Sequence, residues 1–155
     1  MRNVNIGVLL GISDWRREAF QLGLHAKSLQ DRFSDVEIGV SLPRVRPHAG
    51  SFEAPYKVDD KAMVQIITAL RIFLPRVGIS ISTREDPDFR DNLIAIGLTR
   101  MSAGSSTYVG GRIAGIENAG DKPQFEISDK RSVAEMMAAL QSKGYQPVLK
   151  DWLHI

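Results

Sequence analysis

The sequence predicts an α/β fold: four βα units forming a parallel (β/α) half-barrel, half of an eight-stranded barrel, followed by a C-terminal helix and a tail. Short runs of β-branched and apolar residues recur, and amphipathic helical patterns separate them, an alternation typical of a parallel sheet. The runs begin at Val4, Val36, Val77 and Gly97. Residues 1–155 are predicted to be one domain, because this length suits a single hydrophobic core.

The first two helices are predicted from apolar periodicity and from their caps. Apolar residues spaced by three and four follow Asp14, which is the expected N-cap of the first helix. The second pattern starts at Asp59 or Asp60 and ends before Pro75.

The last two helices are marked more strongly by their ends. Asp86 is the expected cap of a short helix that Gly97 closes. Ser132 and Glu135 have the spacing of a capping box and predict the start of the last helix. That helix is expected to bury Val133, Met136, Met137 and Leu140.

Between these two helices, residues 105–131 show no sustained periodicity and are rich in Gly, Ser and Asp. We expect a long loop near the functional site, since long loops in compact domains are usually functional or disordered. The tail is expected to be pinned by Trp152.

The predicted strands are apolar on one face and small on the other. Barrels normally fill their interior with bulky branched residues, so a small face predicts room for a ligand. A closely packed helix would require the same residues, but we favour a cavity because the strands end in arginines. The small face comprises Gly7, Leu9, Gly11, Gly39, Ser41, Gly78, Ser80 and Ser82.

Composition excludes several classes of function. The chain has 20 Lys and Arg against 18 Asp and Glu, scattered along its length, so no nucleic acid partner is expected. No apolar run approaches the roughly 20 residues of a membrane span, and no signal peptide is evident, which predicts a cytoplasmic protein without membrane contact. Cysteine is absent and the three histidines are not spaced for a metal, so no metal ligand is predicted. His25 is expected to be partly buried.

Five motifs carry a resemblance to a known family. Their order resembles that in the C-terminal part of the 2-iminoacetate synthase family, the radical S-adenosylmethionine tyrosine lyases of thiamine biosynthesis, including the biotin-and-thiamin-synthesis-associated region. The family's CxxxCxxC loop has no counterpart here, and truncation explains this better than mutation. The motifs are SLPRVRP (41–47), STRE (82–85) followed by DPDFRD, SAGSS (102–106), QFEISDKRS (124–132) and KDW (150–152).

The resemblance implies a full-length enzyme that uses S-adenosylmethionine and a 4Fe-4S cluster to cleave L-tyrosine to 2-iminoacetate and p-cresol for the thiazole of thiamine. Without cysteines, the chain alone is expected to be inactive. Implied partners are L-tyrosine, the missing N-terminal barrel half and the thiazole synthase of the pathway; open sheet edges also suggest a homodimer. The alternatives are a stand-alone carboxylate-binding module without catalysis, and a paralogous lyase for another aromatic amino acid.

The resemblance also implies substrate-binding residues but no catalytic residue. Arg84 is the strongest candidate, because a guanidinium binds a carboxylate through two parallel hydrogen bonds. Neutralisation of Arg84 by Glu85, surface ion pairs and an ordinary Ser/Gly loop are the structural alternatives. The substrate-binding candidates are Arg84, Ser82, Ser102, Ser105, Arg44 and Arg46.

A cofactor segment is implied by GVLLGISD, residues 7–14, which resembles the GxIxGxxE segment that lies along the adenosine in radical S-adenosylmethionine enzymes. Tight helix–strand packing is the alternative explanation for its glycines. The cofactor-binding candidates are Gly7, Leu9, Gly11 and Ile12.

Overall fold

The computed structural model describes residues 2–46, 51–107 and 125–149. Its four strands form one parallel sheet in the order β1-β2-β3-β4, so each strand lies beside the next in the chain. The strands are β1 (Asn3–Gly7), β2 (Glu37–Ser41), β3 (Gly78–Ile81) and β4 (Arg100–Met101). The helices are α1 (Trp15–Arg32), α2 (Asp60–Phe73), α3 (Pro87–Leu93), a 3-10 turn at Ile94–Ile96, and α4 (Val133–Ser142).

The predicted helix ends are confirmed. The Asp14 side chain accepts hydrogen bonds from two backbone amides at the start of α1, and Asp59 does so from one in α2. Both halves of the capping box between Ser132 and Glu135 are formed. Gly97 ends the 3-10 turn after α3 with a φ of +113°, a conformation that favours glycine.

The apolar face of the sheet is covered by α1 and α2. Alternate residues of β2 and β3 point to this side and are almost completely buried, as the period of a strand requires. The resulting core continues into the two helices. Its central members are Ile38, Val40, Ile79 and Ile81 from the sheet, Leu22 and Ala26 from α1, and Met63, Ile66, Ile67 and Leu70 from α2.

The small face carries a charged side chain at its amino-terminal end. Arg100 extends from β4 past Gly78 to Gly39, where a Cβ atom would lie 3.2 Å from Nη1 of Arg100 and 2.7 Å from Oδ1 of Asn5. The guanidinium then donates to Glu37 at 2.5 Å. At this end the glycines therefore make room for Arg100 and Asn5 of the chain itself, rather than for a packed helix.

Several elements differ from the predictions. β1 ends at Gly7 and the chain rejoins the sheet in a single bridge between Leu10 and Arg44, so the strand predicted from Val4 to Leu10 is interrupted. β4 has only two residues, and Val133 is 44% exposed rather than buried because α4 buries mainly Met136.

Other predictions involve side chains on the surface or outside the described parts. His25 is exposed on α1, not partly buried. The middle of the predicted loop 105–131 and the tail with Trp152 lie outside the described residues. Within the described ranges, none of the helices has the length and apolar character that crossing a membrane requires.

Candidate functional site

Arg44 lies on the helix side of the sheet, which its sequence position explains. It is two residues after Leu42 and four after Val40, so it falls on the same face of the strand as these residues, whose side chains are buried on that side. Its Nε donates to both oxygens of Glu85 at 3.0 Å, and Nη1 donates to the carbonyl of Val58 at 2.9 Å. Arg44 is thus engaged by acceptors of its own chain.

A carboxylate shared by two arginines forms the centre of this cluster. Glu85 is 1% exposed and accepts from Arg46 Nη2 at 2.7 Å as well as from Arg44, while Asp60 at the start of α2 accepts from Arg44 at 2.5 Å. Burial disfavours the Arg44 cation, but the hydrogen bonds and charges of Glu85 and Asp60 outweigh burial and raise its pKa above the ordinary value.

Arg84 has a different environment from its neighbour in the chain. Both residues lie in the turn that follows β3, where Arg84 contacts Phe125 and Glu85 contacts Arg44 and Arg46. The Cζ atom of Arg84 lies 3.6 Å from the centre of the Phe125 ring. Within the described segments Arg84 has no ion pair or side-chain hydrogen bond. Burial lowers the pKa of Arg84, which the charge of Glu85 offsets only in part.

The predicted serines lie at the same edge of the sheet as Arg84. The Ser82 hydroxyl accepts from the Arg84 backbone amide at 3.3 Å. The Ser102 amide donates to the carbonyl of Ile81 at 3.1 Å, which places Ser102 beside the end of β3. Ser105 lies three residues after Ser102, directly after Gly104, and is partly buried. Ser82 and Ser102 are therefore brought together with Arg84 at the carboxyl ends of β3 and β4.

An ion-pair network, which the sequence analysis did not identify, fixes the C-terminal segment to this edge. The carboxylate of Asp129 is buried and bonds both Arg90 of α3 and Arg131, and Arg131 also reaches Asp91 at 2.9 Å. Arg90 donates in addition to the carbonyl of Ser102. Burial acts against ionisation of Asp129, but hydrogen bonds from Arg131 and the charge of Arg90 bring the pKa of Asp129 below its ordinary value.

The predicted cofactor segment lies at the β1 edge. A Cβ atom on Gly7 would meet the Ser41 carbonyl at 2.9 Å, and Gly11 has a φ of +111° with its carbonyl accepting from the Tyr56 amide at 3.2 Å. Both glycines are therefore required by contacts within the chain. Leu9 and Ile12 are 39% and 49% exposed and are available for contact.

The residues present do not fit an iron–sulfur cluster, since the chain contains no cysteine and such clusters are held by thiolates. Within the described ranges, no group of three His, Cys, Asp or Glu side chains could hold a metal ion. A groove of about 400 Å³ between α1 and α2 lies on the helix side, away from Arg84 and Ser82, and its lining includes Trp15, Phe20 and Phe73.

Comparison with known proteins identifies the family of the chain. The model of the Biotin and Thiamin Synthesis associated domain matches residues 41–146, and the chain belongs to this family. Over 150 residues, 96% of its length, the chain is 37% identical to the 2-iminoacetate synthase of Escherichia coli (strain K12). Identity to the Salmonella typhimurium (strain LT2) 2-iminoacetate synthase is also 37%, over 153 residues. The predicted resemblance is thus confirmed, although the chain spans only 39% of the length of these relatives.

Solved structures agree with this result. HydG, a maturase of the FeFe-hydrogenase, superposes with a TM-score of 0.78 at 38% identity, covering 92% of this chain and 31% of HydG. HydG from Carboxydothermus hydrogenoformans gives a TM-score of 0.82 at 36% identity, covering 98% of this chain and 34% of that protein. The predicted parallel half-barrel fold is confirmed.

Proposed function

We propose that this chain is the C-terminal part of a radical S-adenosylmethionine lyase that cleaves L-tyrosine to 2-iminoacetate and p-cresol for the thiazole of thiamine. The similarity to 2-iminoacetate synthase over 96% of the chain supports the reaction. The observation that carries the role of this part is the Arg84 guanidinium, which lies at the carboxyl end of β3 without a carboxylate of its own chain hydrogen-bonded to it in the described ranges. Barrel enzymes place their chemistry at this end of the strands.

In this proposal the chain binds and orients the substrate. Arg84 holds the carboxylate of tyrosine through two parallel hydrogen bonds, and Ser82 and Ser102 offer hydroxyls next to it. Arg44 and Arg46 support this edge through Glu85, and Ser105 begins the adjoining loop. We assign no catalytic residue to the chain.

Cofactor chemistry requires residues from outside this chain. Gly7, Leu9, Gly11 and Ile12 would lie along the adenosine of S-adenosylmethionine, where Leu9 and Ile12 present exposed side chains. When bound, S-adenosylmethionine supplies the radical chemistry that breaks a carbon–carbon bond. The cluster that this chemistry needs has no ligand here, because cysteine is absent.

A chimaera tests the proposal. This chain replaces the matching region of the Escherichia coli 2-iminoacetate synthase, which supplies the remaining 61% of the enzyme. Anaerobic incubation with tyrosine, S-adenosylmethionine and a reductant should release p-cresol. A folded, cluster-loaded chimaera that forms 5′-deoxyadenosine but no p-cresol would exclude tyrosine as the substrate and favour the paralogous lyase.

The remaining parts of the proposal concern partners and location. We propose one domain over residues 1–155, a cytoplasmic location, an N-terminal barrel half and the thiazole synthase as protein partners, and self-association of the isolated chain. The alternative of a stand-alone carboxylate-binding module rests on the same Arg84. It would be supported by tyrosine binding to the 155-residue chain together with failure of the chimaera.

A further inference from the structure

We propose that Phe125 is the positioning residue of the substrate-binding arginine, and that its ring holds the Arg84 guanidinium flat with its edges directed away from the ring. This inference rests on the proposed function, because it concerns how Arg84 is prepared for a carboxylate. Phe125 lies in the C-terminal segment, 41 positions after Arg84, so the fold alone brings the two side chains together.

The first argument is the stacking geometry. The Cζ atom of Arg84 lies 3.6 Å from the centre of the ring, well inside the distance at which a cation is attracted to an aromatic face. Stacking uses the face of the guanidinium and leaves the N–H groups on its edge free to bond. A bidentate carboxylate pair requires the same edge, so the stack and the substrate do not compete for Arg84.

The second argument is that the Phe125 segment is anchored next to Arg84. The Thr83 carbonyl accepts from the backbone amides of Ser128 and Asp129, both at 3.0 Å. Thr107 donates its hydroxyl to the Phe125 carbonyl at 3.1 Å. The buried Asp129 then bonds Arg90 of α3. These bonds determine where the ring lies before any substrate binds.

The third argument concerns the neighbouring charge. Glu85 would be the obvious partner for Arg84, but its carboxylate accepts from Arg44 and Arg46 instead. Arg84 is also partly desolvated, and an aromatic face stabilises a desolvated cation without using its hydrogen-bond donors. Phe125 therefore holds the Arg84 side chain in one position and leaves its hydrogen-bond donors available for a carboxylate.

The stack itself is tested by NMR on the cluster-free chimaera labelled at arginine, in which the rest of the barrel is supplied. Protons above an aromatic face are shifted upfield, so the Arg84 Hδ signals, assigned with Arg84→Lys, should be shifted in the wild type and in Phe125→Tyr. They should return to ordinary values in Phe125→Leu and stay shifted in the matched control Phe20→Leu on the exposed face of α1. Unshifted Arg84 signals in the folded wild type would overturn the proposal.

The positioning role is tested in the chimaera with the same variants. Loss of one stacking contact should raise the KM for tyrosine by a factor of about 5 to 30. Phe125→Leu should show this rise with 5′-deoxyadenosine release retained, and Phe125→Tyr should restore the wild-type KM. An unchanged KM in Phe125→Leu would overturn the positioning role and leave the proposed function intact. Conversely, a wild-type chimaera that makes no p-cresol would refute the proposed function, while the Arg84 signals would still report the stack.

Discussion

At the residue scale, neighbouring positions at the end of β3 serve different purposes. Arg84 and Glu85 are adjacent in sequence and lie in the turn that follows β3, but their side chains make different contacts. Glu85 binds Arg44, whereas Arg84 lies against the ring of Phe125. A substitution at Arg84 should affect the ligand, whereas one at Glu85 should affect the fold.

The first prediction concerns Arg84. In the chimaera, Arg84→Ala and Arg84→Lys should weaken tyrosine binding by about 2 to 5 kcal/mol, because a bidentate charged hydrogen-bond pair loses a partner or its geometry. Arg76→Ala, which removes an exposed arginine, is the matched control and should leave affinity unchanged. Isothermal titration with tyrosine measures the difference. Equal affinity in wild type and Arg84→Ala would eliminate the assignment.

The second prediction concerns Glu85. Glu85→Ala leaves the buried Arg44 guanidinium without its main carboxylate, which should lower the free energy of unfolding by about 3 to 5 kcal/mol. Asp60→Ala removes the more exposed partner of Arg44 and should cost much less. Urea unfolding of both variants measures the two effects. Similar losses would mean that Glu85 is not the centre of the cluster.

The sequence alone could distinguish the roles of Arg84 and Arg44 only in part. Arg84 follows the small-face serines in parity, and this was sufficient to rank it first. The parity of Arg44 with Val40 and Leu42 was an available signal that placed it on the helix side. Its partner Glu85 could not be inferred, since 41 residues separate them and only the packed sheet brings them together.

At the scale of elements, helix starts were predicted well because caps are local. Asp14, Asp86 and the box of Ser132 and Glu135 each bond within three residues of themselves. The docking of the C-terminal segment was missed because Arg90 and Asp129 lie 39 residues apart. Oppositely charged residues in two motifs of one chain, DPDFRD and SDKRS, were the signal that could have indicated it.

The third prediction concerns Asp129, which joins α3 to the C-terminal segment. The folded state keeps this carboxylate ionised to lower pH than the unfolded chain, because its pKa is lowered. The contribution of this carboxylate to the free energy of unfolding is therefore complete at pH values above the ordinary aspartate pKa of about 3.9, and it is lost as the pH falls below that value. Asp129→Asn should be less stable by about 3 to 5 kcal/mol at pH 7 and should lose less stability on acidification.

Urea unfolding of wild type and Asp129→Asn at several pH values between about 7 and 3 measures this difference. Comparing the two proteins removes the contribution of the other carboxylates, which titrate in both. Parallel pH profiles would contradict the assignment of the lowered pKa to Asp129.

At the scale of the whole molecule, β1 pairs with β2 alone within the described ranges and forms one edge of the sheet. Leu10 donates to the Pro43 carbonyl and accepts from the Val45 amide just beyond β2, and the Arg2 carbonyl accepts from the Glu37 amide, so these even-numbered residues bond toward the neighbouring strand. The odd-numbered residues, Asn3, Asn5 and Gly7, therefore direct their backbone groups to the outer edge. The order of strands and the small face were predictable from strand patterns, whereas the occupation of that face by Arg100 was not.

The fourth prediction is that this edge promotes association. The isolated chain should form a homodimer or remain poorly folded, because unpaired edge strands bind other strands. Asn5→Pro removes one outward N–H and should reduce the association relative to Asn5→Ala. Light scattering combined with urea unfolding measures both properties. A cooperative monomer at all concentrations would contradict the prediction.

The fifth prediction is that the 155-residue chain alone does not cleave S-adenosylmethionine. Anaerobic reconstitution with iron and sulfide should give no 5′-deoxyadenosine above a protein-free control, because the chain has no thiolate to hold a cluster. Product formation above that control would show that the cluster has ligands of another kind.

Arg100 has a consequence for the dimensions of the interior. Its side chain lies across Gly39 and Gly78 and pairs with Glu37, which closes the amino-terminal end of the small face. Shortening Arg100 would uncover Gly39 and Gly78 without changing Ser82 or Arg84 at the other end of the strands, so under the proposed function this variant tests whether the size limit for a substrate is set by a residue that never touches the bound carboxylate.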